Sequence, residues 1–216
     1  MYQLVIFDMD GTLADTSPGI LNSHRHAHKA MGHPIPSSKE LDGVIGGPLL
    51  QTYINRFGFS EADARTAVDE YRRYYSENGI HEAHLYPGMK EALQKLSQNH
   101  VKIALATLKA ERFAKIMLKD MGILSYFDVV YGMDDQDTRT KSQLIEMCLA
   151  ATGTARNDSL MVGDSVHDLL GAQQCGVPFL GVSYGFGFTQ HDNYGVMMAN
   201  NALEVANIVL SHNPKG

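Results

Sequence analysis

Leu4-Val5-Ile6-Phe7-Asp8-Met9-Asp10-Gly11-Thr12 is the stretch on which the fold turns. Four consecutive apolar residues that stop at a carboxylate suit a strand covered on both faces, as in a parallel sheet with helices on either side. Two residues apart in extended chain, Asp8 and Asp10 leave the same side, and Gly11 permits a turn that a Cβ would resist. Carboxylates this close raise each other's pKa unless a cation intervenes, so the pair is costly to a chain that gains nothing from it.

Similar short runs recur downstream. Val101–Ala106 ends at Thr107, Phe127–Tyr131 at Gly132, Leu160–Val162 at Gly163-Asp164, and Phe179–Val182 at Ser183, making five strands with the first. Helical patterns lie between the later strands, at 88–98, 110–121, 141–151 and 166–174, the last closed by Gly176 in the manner of a C-cap glycine. This alternation predicts an α/β class with a Rossmann-like parallel sheet core, whose ligands bind outside the carboxyl ends of the strands near a topological switch point. Residues 15–84 break the alternation, offering helical stretches and no convincing strand, and are expected to form an inserted α-helical subdomain between core segments 1–14 and 85–216. Within the insert, Ser17-Pro18 reads as N-cap and N1 of a helix that Gly32 ends. Further helices are expected at 47–57 and 60–78, the latter opened by Ser60 with Asp63 three residues on.

Composition narrows the function. Among 216 residues, 24 are acidic and 18 basic, and a formal charge of -6 leaves no electrostatic footprint for a nucleic-acid polymer. The apolar amino-terminal run stops at Asp8 and no basic segment precedes it, so neither a signal peptide nor a membrane span is expected. The two cysteines, Cys148 and Cys175, fall in apolar helical stretches and read as buried thiols of a reducing compartment, the cytoplasm.

A second acidic motif, Gly163-Asp164-Ser165-Val166-His167-Asp168, follows another apolar strand, with Asp168 near a helix start. If its strand and the first are parallel neighbours, Asp8, Asp10, Asp164 and Asp168 meet at one sheet edge, an oxygen-rich site suited to a hard cation such as Mg2+. Thr107 ends the second strand and Lys141 stands at the start of a helix after the third, where a hydroxyl, a backbone N–H and an ammonium can hold phosphate. Taken singly, Thr107 is an ordinary strand residue, Lys141 a solvated charge and Asp168 a helix cap; the order carboxylates, threonine, lysine, carboxylates is what favours a site.

With these motifs the chain resembles a haloacid dehalogenase-superfamily phosphatase along essentially its whole length. Asp8-Met9-Asp10-Gly11-Thr12-Leu13 matches the first family motif, Thr107 the second, Lys141 the third, and Gly163-Asp164-Ser165 with Asp168 the fourth. Asp15-Thr16-Ser17-Pro18-Gly19-Ile20, Gly46-Gly47-Pro48-Leu49 and Tyr86-Pro87-Gly88 are similar to the phosphoglycolate phosphatase-like branch, in which the insert is a helical cap that closes over the site. The chain departs from that branch at Leu108, where asparagine is common, and at Ser142, where proline is common. The resemblance implies a small phosphorylated metabolite as substrate, with Asp8 as nucleophile and Asp10 as general acid and base. Thr107, the Leu108 backbone N–H and Lys141 would hold the phosphoryl group. Asp8, the Asp10 carbonyl, Asp164 and Asp168 would hold Mg2+. A phosphomutase of the β-phosphoglucomutase type uses the same aspartates, and a non-catalytic module can retain the fold, so both stand as alternatives.

Other features read blandly. His24 and His28 share a helix face but lack a third metal ligand, so with Arg25 and His26 they are expected on a polar face toward solvent or the cleft. Tyr71, Tyr74 and Tyr75 read as packing, and Gly185-Phe186-Gly187 lacks the third glycine of a dinucleotide fingerprint.

Overall fold

The computed structural model describes residues 1–134, 136, 138–188 and 195–212. The chain forms two compact units, Met1–Asp15 with His84–Gly216, and Thr16–Ala83. The first is built on a six-stranded parallel sheet of order β5-β4-β1-β6-β7-β8, with β1 Leu4–Phe7, β4 Lys102–Ala110, β5 Val129–Met133, β6 Ser159–Gly163, β7 Phe179–Val182 and β8 Met197–Ala199. Helices α4 Met89–Gln98, α5 Glu111–Asp120, α6 Lys141–Thr152, α7 Val166–Cys175 and α8 Ala202–Ser211 accompany it.

β1 lies at the centre, all four residues buried, paired on one side with β4 (Phe7 opposite Leu105) and on the other with β6 (Phe7 opposite Val162). The chain moves outward from β1 through β4 to β5, then returns to β6 and continues the other way, so strand order reverses at β1. A reversal of this kind opens a crevice at the carboxyl ends of the strands, because the helices that follow on either side diverge. One side of the sheet packs Leu4, Ile6, Ala104 and Met161 against Leu144, Ile145, Cys148, Ala172 and Cys175. Both cysteines are buried free thiols in that layer.

Several elements differ from the sequence expectation. β4 does not stop at Thr107 but runs to Ala110, with a shift of pairing register between Ala106 and Ala110, so Thr107 is an interior strand residue. β5 begins at Val129 rather than Phe127, which ends a short 3₁₀ turn at Leu124–Tyr126. β8, a three-residue edge strand without a β-branched residue, carries too little pattern to be seen. α8 did have a start signal, since the Asn201 side chain accepts the Glu204 N–H at 2.9 Å. Residues Ala14–Asp15 (β2) and His84–Leu85 (β3) pair antiparallel where the chain leaves and re-enters the first unit. That ribbon puts Asp15 and His84 with the sheet-bearing unit, one residue beyond the expected boundary on each side.

In the second unit, α1 Ser17–Ala30 packs on α3 Glu61–Glu77. Ser60 caps α3 as expected, accepting the Asp63 N–H, whereas the N-cap of α1 is Thr16 rather than Ser17 and makes no side-chain cap bond. The helix expected at 47–57 is reduced to α2 Leu49–Gln51, followed by a π turn over Thr52–Arg56.

His24 and His28 do not face solvent. Both are buried, with ring centroids 4.8 Å from Tyr71 and 4.6 Å from Phe57 respectively. Their Nδ1 atoms meet the Tyr53 hydroxyl at 3.2 Å and the Pro34 carbonyl at 3.1 Å, while neither Nε2 has a hydrogen-bond partner. The i,i+4 face is therefore an interior one, filled by aromatic rings. Tyr71 and Tyr75 are stacked and buried, and the Tyr74 hydroxyl donates to Glu82. Burial holds His24 down to about 4, with the neighbouring His28 adding to the effect. Below its unfolded pKa the unfolded chain binds a proton that the folded one refuses, so stability is lost as pH falls through the window from 6.5 toward 4. His24 alone is expected to cost this unit up to about 3 kcal/mol across that window. His24→Asn, which retains an acceptor near the position of Nδ1, should flatten the acid limb of a thermal-unfolding pH series, and an unchanged limb would refute the assignment.

Candidate active site

The end of β1 is where the two acidic motifs meet. The Asp8 N–H continues the ladder to the Val162 carbonyl at 2.9 Å, so Asp8 emerges between β4 and β6. The chain then folds tightly, the Met9 carbonyl accepting N–H groups from Thr12, Leu13 and Ala14 at 3.2, 3.0 and 3.2 Å. Gly11 sits in this turn at φ +77°, where a side chain is strained, and a Cβ there would overlap the Asp164 carboxylate. Glycine at this position is what lets the loop after β1 close on the loop after β6.

Asp164 is held from three directions. Its Oδ2 accepts the backbone N–H groups of Phe186 at 2.7 Å and Gly187 at 3.1 Å, and the Thr12 hydroxyl lies 3.5 Å from Oδ1. Gly185-Phe186-Gly187, which carries no dinucleotide fingerprint, is thus the loop that orients this carboxylate.

Lys141 binds the pocket together. It is the first residue of α6, started by a capping box between Thr140 and Gln143. Its ammonium donates to Asp8 Oδ1 at 2.7 Å and to the Ala106 carbonyl at 2.9 Å, and forms an ion pair with Asp168 Oδ1 at 2.7 Å. The lysine stem fits because Gly171 of α7 lies beside it; a Cβ at that position would press on Lys141 Cγ. Asp168 is also the N3 partner of the α7 capping box, its Oδ2 accepting the Ser165 N–H at 3.1 Å and hydroxyl at 2.7 Å. Helix cap and charge partner are therefore one residue using its two oxygens separately.

Asp8, Asp164 and Lys141 are ionisable and buried, and burial is the largest influence on the proton affinity of each. Burial pushes Asp8 up to about 7; Lys141 opposes the shift, while Asp168 and Asp10 add to it. Burial likewise pushes Asp164 up to about 6, against the Phe186 and Gly187 N–H groups that favour its charge. Burial alone would lower Lys141, but Asp168 and Asp8 outweigh it and hold the ammonium above its ordinary value. Asp8, Asp164 and Asp168 offer oxygens within 4.8 Å of one another, and the Lys141 ammonium pairs with two of them, Asp8 and Asp168. Three converging carboxylates, with no nitrogen or sulfur donor among them, fit a hard divalent cation, whose charge would relieve the desolvated pair.

Thr107 is buried one residue beyond Ala106, and its Oγ1 accepts the Lys109 N–H at 3.2 Å. The Leu108 side chain is exposed, and the polar group this residue can offer a phosphate is its backbone N–H. Asp10 is half-buried, and Lys109 Nζ stands 3.1 Å from its Oδ1. Lys109, Gly171 and the loop 185–187 were not legible as parts of the site. A lysine within a strand end and a glycine within a helix carry no motif of their own, and the loop's role depends on a contact with Asp164, some twenty positions away.

Residues 5–182 match the family model described as haloacid dehalogenase-like hydrolase. The chain belongs to the haloacid dehalogenase-like hydrolases. A member of similar sequence is a 5'-nucleotidase from Pseudomonas aeruginosa, 38% identical over 187 residues that make up 86% of this chain and 85% of that one. A phosphoglycolate phosphatase from Vibrio parahaemolyticus is 31% identical over 196 residues, 85% of either chain. Among solved structures, a haloacid dehalogenase-like family hydrolase from Streptococcus pneumoniae superposes with a TM-score of 0.84 at 33% identity, covering 95% of this chain and 97% of that one. The six-stranded parallel sheet is the family's α/β core, and the chain is a hydrolase on the phosphatase side of this family.

Proposed function

We propose that the protein is a magnesium-dependent phosphatase that hydrolyses a small phosphate monoester through an aspartyl-phosphate on Asp8. The observation that carries this reading is the buried convergence of Asp8, Asp164 and Asp168 around Lys141 at the switch point of the sheet. Lys141 occupies Asp8 Oδ1, which leaves Oδ2 as the oxygen that attacks phosphorus in line. As the Oδ2–P bond forms and the bond from phosphorus to the ester oxygen breaks, Asp10 gives its proton to the departing oxygen. It then takes one from the water that displaces Asp8 and frees phosphate. The Thr107 hydroxyl, the Leu108 N–H and Lys141 hold the phosphoryl oxygens, so most of the catalysis is positioning and charge neutralisation. Asp8, the Asp10 carbonyl, Asp164 and Asp168 would hold Mg2+, which supplies neutralisation of the phosphoryl charge. The similarity to a 5'-nucleotidase and a phosphoglycolate phosphatase supports a small monoester as substrate, and the free buried thiols suit a reducing cytoplasm.

A panel of alkyl, sugar, nucleoside and aryl phosphates assayed for inorganic phosphate tests the reading. Turnover is expected with Mg2+ and loss to about 1% or less with chelator; undiminished release under chelation would overturn it, and return of phosphate to a sugar acceptor would favour a mutase. The metal has a second readout. Because Asp8 and Asp164 have folded pKa values above their unfolded ones, their charge costs stability that is absent near pH 4 and fully felt above pH 7. The rise in melting temperature on adding Mg2+ should therefore be larger at pH 8 than at pH 5.

A further inference from the structure

Each aspartate of the Asp8-Met9-Asp10 pair has its own ammonium. Lys141 arrives from α6 onto Asp8, and Lys109 arrives from the extension of β4 onto Asp10. We propose that Lys109 is a positioning residue for Asp10, fixing its carboxyl in place to meet the leaving oxygen of the ester; this rests on the phosphatase reading above.

The Lys109 side chain is 8% exposed and Asp10 26%, so the pair is not a screened surface contact of little consequence. The strand is shaped to deliver it. Pairing of β4 with β5 shifts register between Ala106 and Ala110, and irregularities of this kind re-aim side chains beside active sites. Leu108 points outward at 39% exposure, while Lys109 turns in and ties its own N–H to Thr107 Oγ1 at 3.2 Å. One strand segment thereby fixes both the phosphate-holding hydroxyl and the partner of the acid.

The chemistry follows from the fixed charge. An ammonium only donates, so Lys109 anchors Asp10 through Oδ1 and holds the carboxyl in one orientation. When an Asp10 O–H bond breaks and its proton joins the leaving oxygen, the carboxylate that remains lies beside a fixed positive charge. That attraction strengthens as the transition state forms, which is the condition for it to accelerate the step.

The test uses leaving-group dependence. Wild type, Lys109→Met and Lys109→Arg are compared on the most active alkyl ester and the most active aryl ester of the panel, by kcat/KM, which reports transfer to Asp8 and not the later hydrolysis. An alkoxide needs a proton to depart, whereas a nitrophenolate does not. Lys109→Met is expected to lower kcat/KM for the alkyl ester by roughly 100-fold and for the aryl ester by less than about tenfold, with Lys109→Arg recovering part of the alkyl loss. Equal losses on both esters would mean that Lys109 acts on the phosphate or on folding, and would overturn the proposal while leaving the phosphatase reading intact. Wild type inactive on every ester with Mg2+ would instead remove the reading on which the proposal stands.

Discussion

Asp8→Asn is expected to abolish phosphate release, lowering kcat by about 10^4-fold or more, since an amide cannot take the place of a carboxylate nucleophile. The substitution is isosteric, and its oxygen can still accept from Lys141, so the fold has no reason to fail. Its stability should even favour the variant at high pH. Wild-type Asp8, pushed up to about 7 chiefly by burial, carries a charge above that pH which the pocket disfavours without metal, and asparagine has none to carry. Metal-free Asp8→Asn should thus melt no lower than wild type at pH 8, and Mg2+ should raise its melting temperature less. Activity within tenfold of wild type would remove Asp8 from the chemistry. An inactive variant that melts far lower would leave the loss attributable to misfolding.

Lys141→Met produces the opposite stability result. The substitution keeps most of the buried stem but strips the ammonium that Asp8 and Asp168 share. Breaking a buried ion pair from one side leaves an uncompensated charge, and a loss of about 3–5 kcal/mol is expected at pH 8, with activity reduced by about 10^3-fold. The sign of the pH dependence follows. Without Lys141 the folded pKa of Asp8 rises further above its unfolded value, so the penalty is present at high pH and fades as pH falls and the carboxyl takes up its proton. Denaturant unfolding at pH 8 and pH 5 measures this. The double variant Lys141→Met with Asp8→Asn should regain part of the loss, because the buried charge left behind by one substitution is absent in the other. A Lys141→Met protein as stable as wild type at pH 8 would mean that the ammonium does not bridge these carboxylates.

These two substitutions also mark how far a linear reading reaches. Asp8 announced itself, since an apolar run stopping at Asp-Met-Asp-Gly has strand periodicity on one side and an unexplained charge on the other. Lys141 was recognisable only by its place in an ordered series, and nothing local shows that its ammonium is shared between Asp8 and Asp168. Asp168 invited a choice between helix cap and site residue, and the structure answers with both, one for each oxygen. His24 and His28 misled because spacing identifies a helix face but not what covers it; here aromatic rings do.

The sequence by itself determined the class of fold, the strands that carry acidic motifs, and the residue types available for phosphate chemistry. Hydrophobic periodicity and glycine placement are local properties written along the chain. Tertiary structure alone decided that Lys109 belongs to Asp10, that a loop at 185–187 holds Asp164, and that Gly171 makes room for Lys141. Those are distances between segments remote in sequence. They are set by strand register and helix packing, and no periodicity within either segment encodes them.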